Sequence, residues 1–200
     1  MNPRWHIPED PRLLEMKGAL VNRLTQVVDQ LDPTALASLL DPLLRSVFQA
    51  GIKEAQADEG TIWLVDRSAE FLEPAHNTGP HAARFVGSFR QPLSEGLICM
   101  VFSTEQAFME NEVFRNTRQS KRLDTLLEVR TQALLAVPFT LFNHCRGVVS
   151  CVQLGAPDAG QPTPRGFQSA NLTTMQRTAM TLSRLLEHRL LGSVLGWTND

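Results

Sequence analysis

The apolar residues of this 200-residue chain recur every three or four positions near both ends and every second position in between. That change of period restricts the fold more than any other feature. From Pro11, the residues Leu13, Met16, Leu20, Leu24, Val27 and Leu31 form one helical stripe, with Arg12, Glu15, Arg23, Gln26 and Gln30 between them. Asp10-Pro11 reads as an N-cap and a first-turn proline. Asp32-Pro33 ends that helix and opens another, and Asp41-Pro42 allows a restart. The second helical stretch runs to about Ala57 with Leu36, Leu40, Leu43, Leu44, Val47, Phe48 and Ile52 inward. A last helix, from about Asn171 to Gly192, carries Leu172, Met175, Ala179, Leu182, Leu186 and Leu190, close to a heptad seam.

Between the helices the pattern is that of strands. Thr61 to Val65 is β-rich, Asp66 to Glu70 is a turn, and Phe71 to Ala75 returns as the second half of a hairpin. Val86 to Leu93 is expected as a third strand, and Ser94-Glu95-Gly96 breaks it before a short helix from Leu97 to about Ser103. Residues 104–131 are less periodic and carry most of the local charge. Ala133, Leu135, Val137, Phe139 and Leu141 alternate along a fourth strand, Asn143 to Gly147 is expected to turn, and Val148 to Leu154 is the fifth. Residues 156–170 read as a Pro/Gly loop. This order predicts an α+β fold, with a mainly antiparallel sheet whose one face is covered by the terminal helices. The middle segment is left to cover the other face, and a pocket is expected beneath it.

Composition removes several function classes. Hydrophobic residues make up 42% and charged residues 20%, so a packed core is expected. The net charge of -2 supplies no positive field for nucleic acid or an anionic membrane. Cys99, Cys145 and Cys151 form no CxxC pair, which argues against a disulfide framework and a structural zinc site and suits a reducing cytoplasm. The N-terminus lacks the apolar stretch of a secretory signal, and the longest apolar run, Leu134 to Leu141, is far short of the ~20 residues that span a bilayer.

Four blocks carry a resemblance. Ala55 to Asp66, then Gly87 with Pro92 to Leu97, then Leu134 to Phe139, and finally Arg146-Gly147-Val148-Val149 resemble, in order, the successive signatures of a GAF domain over about residues 35–190. Asp58 and Gly60 are expected to turn the chain from helix into strand, Glu95-Gly96 to redirect it, and Gly147 to end a hairpin turn. Pro138 tolerates a strand position only where its missing N–H needs no partner. The resemblance implies a GAF-like, PAS-related sheet of five to six strands in a domain over 33–192. Residues 1–32 would form a leader and amphipathic helix, and 193–200 a tail. It also implies a bacterial regulatory module, not an enzyme, that senses a small molecule or binds a partner protein and relays through its terminal helices as a homodimer.

The chemistries known in that family each demand residues that can be looked for. The cyclic-nucleotide signature is absent, since Asn111 precedes Glu112 and Asp124 precedes Thr125. No Cys or His stands in the middle segment for a bilin, and His144-Cys145 is reversed and placed in a turn. His6, His76, His81, His144 and His188 show neither HxH nor i, i+4 spacing, so no metal site is expected. The cofactor is left unknown, without a haem signature. A redox enzyme resembling free methionine-R-sulfoxide reductase and a GAF scaffold with a filled pocket stay open as alternatives.

In a GAF frame the middle segment walls the pocket. Arg118 would fork onto a carboxylate or phosphate, while Phe89, Cys99, Phe102, Phe108, Phe114, Leu123, Leu126 and Phe139 hold an apolar body. Leu20, Leu24 and Val27 on the first helix and Leu182, Leu186 and Leu190 on the last are expected at a dimer interface. Leu14, Val21, Val28, Leu185, Leu191, Val194 and Leu195 widen those stripes beyond what one sheet face needs.

Overall fold

A computed structural model describes residues 10–155 and 164–197. The leader at 1–9, the part of the Pro/Gly loop at 156–163 and the end of the tail at 198–200 lie outside the described residues. Three helices open the fold: α1 (Pro11–Asp29), α2 (Pro33–Leu39) and α3 (Pro42–Glu54). Each starts with the same two-residue device. The carboxylates of Asp10, Asp32 and Asp41 accept from the backbone N–H of Arg12 (2.9 Å), Ala35 (2.8 Å) and Leu44 (2.9 Å), and the following proline lacks an N–H that would have had no helical partner.

The sheet contains β1 (Glu59–Val65), β2 (Phe71–Asn77), β3 (Gln91–Pro92), β4 (Phe108–Glu110), β5 (Thr131–Leu141) and β6 (His144–Leu154). Its order is β3-β2-β1-β6-β5-β4, with every pair antiparallel. Helix α4 (Leu97–Thr104) and helix α5 (Arg122–Leu127) belong to the segment over one face, and α6 (Ser169–Val194) packs on the other with α3. Strand alternation divides the side chains between the two layers. Ile62, Leu64, Leu135, Val137, Phe139, Val149 and Cys151 meet Phe48, Ile52, Met175, Leu182 and Leu186 in the helix-side core. Trp63, Val65, Leu72, Ala136 and Val148 face the other way and pack with Phe85, Cys99, Val101 and Leu127.

Several expectations are corrected. The third strand expected over 86–93 is reduced to Gln91–Pro92, which pairs with Leu72 and Phe71. Before it the chain coils through a 3-10 turn at Ala82–Arg84, with Val86 N–H bonded to the Ala82 carbonyl and Phe89 N–H to that of Phe85. The coil thereby brings Phe85 and Phe89, which an extended strand would hold about 13 Å apart, close enough to pack on one cluster. The β5–β6 turn is tighter than expected. Phe142 and Asn143, at φ 48° and 66°, make a two-residue hairpin, and His144 already pairs with Leu141. The short strand β4, in the segment without periodicity, was not expected.

Two glycines also have a different role from the one expected. A Cβ on Gly147 would stand 1.9 Å from the Trp63 carbonyl oxygen, and one on Gly60 would stand 2.1 Å from Ile52 Cδ1. Gly147 allows close approach within the sheet and Gly60 close approach of α3 to it, and Gln56, at φ 58°, absorbs the change from helix to strand. Gly96, at φ 94°, does redirect the chain into α4. Pro138 lies past the end of β4, where that side of β5 has no strand beside it.

The terminal helices divide their residues unevenly. Leu182, Leu186 and Leu190 of α6, and Leu24 and Val28 of α1, are buried within the one chain, so they serve its own core and leave no surface for a second copy. Leu20, Val27, Leu185 and Leu191 are half-buried. The first half of α1 extends beyond the core, with Leu13 at 67% exposure and Met16 at 61%, and with Leu14 and Val21 also open. No helix among the described residues is long and apolar enough to cross a membrane.

Candidate functional site

A cavity of about 70 Å³ lies between the second face of the sheet and the segment that crosses it. Strand β1 supplies Glu59, Thr61 and Trp63 at two-residue spacing, and β6 supplies Ser150 and Val152. Phe85 and Phe89 enter from the coiled segment, Gly96, Leu97 and Ile98 from the start of α4, and Ser120, Leu123 and Asp124 from the approach to α5. Its size suits a compact ligand, since one water needs about 10–15 Å³ of such space.

The aromatic wall is held in place. Trp63 Nε1 donates to Ser150 Oγ at 2.9 Å, and the Trp63 ring lies 6.5 Å from that of Phe85 and 6.1 Å, edge-on, from that of Phe89. Most polar groups on the wall are satisfied inside the protein. Asn77 Nδ2 donates to Thr61 Oγ1 at 2.9 Å, and Gln91 Nε2 donates to the Glu95 carbonyl at 3.0 Å. Both carboxylate oxygens of Asp124 are taken by Thr131, one by its N–H at 2.9 Å and one by its hydroxyl at 2.7 Å.

Two cavity-lining side chains differ. Glu59 Oε2 and Ser120 Oγ are buried and have no hydrogen-bond partner. Glu59 is only 7% exposed, and the Cα of Gly79 lies so close that a Cβ there would stand 1.5 Å from Glu59 Oε2. Burial pushes the Glu59 carboxyl above its ordinary range. The neighbouring His81 opposes that shift, Asp58 adds to it, and hydrogen bonding with Asn77 opposes it. Among the described residues no Lys, Arg or His lines the cavity.

Of the residues expected at the pocket, Phe89 and Leu123 line this cavity. Cys99 and Arg118 line an adjoining open groove of about 470 Å³, which meets the cavity at Gly96, Gln119 and Ser120. There Arg118 Nη1 lies 3.7 Å from Met100 Sδ. Phe102 and Phe108 are packed against the Trp63 cluster, and Phe114 is stacked beneath Arg130 at 4.0 Å. Leu126 is exposed. Phe139 sits in the helix-side core, on the wrong face of the sheet to touch a ligand here. Glu59, Trp63, Phe85 and Ser120 were missed. A signal for the first two existed, since Glu59, Thr61 and Trp63 alternate with the apolar Gly60, Ile62 and Leu64 on a strand buried on both sides.

The thiols are poorly suited to redox chemistry. Burial pushes Cys99, helped by the nearby Glu95, and Cys151 up to about 12, and burial also raises Cys145. Cys99 packs on the cavity side and Cys151 in the helix-side core, with the sheet between them. Among the described residues no three His, Cys, Asp or Glu side chains converge as metal ligands do.

The family model of the GAF domain matches residues 39–186. The chain belongs to the GAF domain family. No curated protein sequence matches it. Among solved structures it is similar to the GAF domain of a phosphoenolpyruvate-protein phosphotransferase from Coxiella burnetii, with a TM-score of 0.61 at 17% identity, covering 94% of this chain and 100% of that one. The GAF-B domain of DevS from Mycobacterium smegmatis is similar at a TM-score of 0.56 and 18% identity, with 84% and 100% covered. A free methionine-R-sulfoxide reductase from Neisseria meningitidis, solved with its substrate, gives 0.53 and 15%, with 96% and 97% covered. At such identities the likeness concerns the fold. GAF domains are generally regulatory sensor modules, and the cavity of this one lies under the segment that crosses its sheet.

Proposed function

We propose that this GAF domain is a sensor that takes a small ligand into the Trp63 cavity and relays occupancy through its terminal helices as a homodimer. The observation that carries this reading is the pair of unpartnered polar atoms, Glu59 Oε2 and Ser120 Oγ, on the wall of an otherwise satisfied aromatic cavity. A buried polar atom without a partner costs about 1–3 kcal/mol, and a ligand that supplies the partner recovers it. The strands offer a physical route outward. Trp63 and Ser150 face the cavity, while Ile62, Leu64, Val149 and Cys151 on the same strands pack beneath α3 and α6. For the homodimer, support comes from the apolar residues that α1 leaves open, Leu13, Leu14, Met16 and Val21. The raised thiols, divided between two sides of the sheet, favour this reading over a reductase.

Native mass spectrometry of the protein isolated from its own host tests the sensor reading. A retained small molecule, lost on Trp63→Ala, is the expected result. A protein that carries nothing and is stabilised by no compound in a metabolite screen would instead be a scaffold.

A further inference from the structure

We infer that the ligand of this cavity carries a primary ammonium group, with Glu59 as its counter-ion. The inference rests on the sensor reading and names the chemistry of the same site. Among the described residues the charged side chains on the wall are Glu59 and Asp124, both acidic. Asp124 already accepts two hydrogen bonds from Thr131, which leaves Glu59 as the carboxylate with an unpartnered oxygen, Oε2. Of the nearby basic groups, His81 stands close to Glu59 without hydrogen-bonding to it, and two arginines are engaged elsewhere. Arg84 donates to the carbonyls of Leu126 and Leu127, and Arg90 pairs with Asp66 and Glu73. An anionic ligand would add a like charge beside a buried carboxylate, and a neutral one would leave that carboxylate without a counter-ion.

An ammonium group answers both deficits. It offers three donors and a positive charge, and the faces of Trp63, Phe85 and Phe89 on the same wall attract cations. Ser120 Oγ is a second acceptor without a partner. The ammonium could belong to a simple amine or to an amino acid. For an amino acid, the start of α4, where Gly96 offers no side-chain cap and Leu97 and Ile98 line the cavity, gives the carboxylate free backbone N–H groups.

Isothermal titration of the full chain with n-butylammonium, L-norvaline and butyrate tests the inference and separates the two sources. Saturable binding of at least one ammonium compound is expected, with no binding of butyrate. Glu59→Gln, close in shape and uncharged, is expected to weaken that binding by about tenfold or more. Ser120→Ala should weaken it less. Binding of neither ammonium compound, equal binding by Glu59→Gln, or binding of butyrate as well would overturn the inference. If the protein ignores both ammonium compounds yet carries another class of molecule from its host, the ammonium assignment falls and the sensor reading stands. If it ignores them and carries nothing, both fall.

Discussion

Glu59 is the residue at which stability and binding pull apart. Burial raises its carboxyl, so between the unfolded and the folded value the native protein keeps a proton that the unfolded chain releases. The associated stability is therefore full below the unfolded value and is lost as pH rises through the folded one. Glu59→Gln removes the charge and keeps the shape. Thermal melts at pH 7 are expected to show the variant more stable by about 1 kcal/mol, with the difference closing as pH falls through the carboxylate range. A difference that persists in acid would mean that the charge is not its source. Gly147 sets the opposite case, in which any side chain is harmful. Its Cβ would meet the backbone oxygen of Trp63, which cannot move without breaking the β1–β6 pairing. Urea denaturation of Gly147→Ala should show a loss of at least about 2 kcal/mol.

At the scale of elements, the β1–β2 hairpin depends on one carboxylate. Asp66 accepts from the backbone N–H of Glu70 and Phe71, both at 2.9 Å, and from the Ser68 hydroxyl, and it pairs with Arg90. Burial alone would raise its carboxyl, but the Ser68 hydroxyl and the backbone N–H groups of Phe71, Glu70 and Ser68 together hold it below the ordinary range. Its contribution is thus present above the unfolded value and lost as pH falls through the folded one. Asp66→Ala is expected to cost about 2 kcal/mol at pH 7 and progressively less in acid, measured by chemical denaturation across pH. A cost independent of pH would point to packing alone. The Asp-Pro starts of α1, α2 and α3 are readable from sequence because cap and helix are adjacent in the chain. The coil around Phe85 is not, since its shape follows from two rings reaching Trp63 across the sheet.

For the whole molecule, the first half of α1 is the part that packing within one chain leaves unexplained. Sedimentation equilibrium at micromolar concentration should show a dimer. Leu13→Glu combined with Met16→Glu should give a folded monomer whose melting temperature no longer rises with protein concentration, because neither residue belongs to the core. A monomeric unaltered protein would overturn the homodimer.

The change of hydrophobic period in the sequence by itself determined the helices at both ends, the two hairpins and the α+β class, while four short residue blocks carried the resemblance to GAF domains. Periodicity records local geometry, and local geometry is written in neighbouring residues. Alternation shows that Phe139 shares a face with Leu135 and Val137, but it does not say which layer covers that face. Only the tertiary structure decided this, by bringing α3 and α6 onto that side and the Phe85 and α5 segments onto the other. It also decided that Glu59 of β1 and Ser120, far apart in the chain, line one cavity without partners. Whether a polar atom is satisfied depends on every segment folded over it, and no window of sequence contains them all.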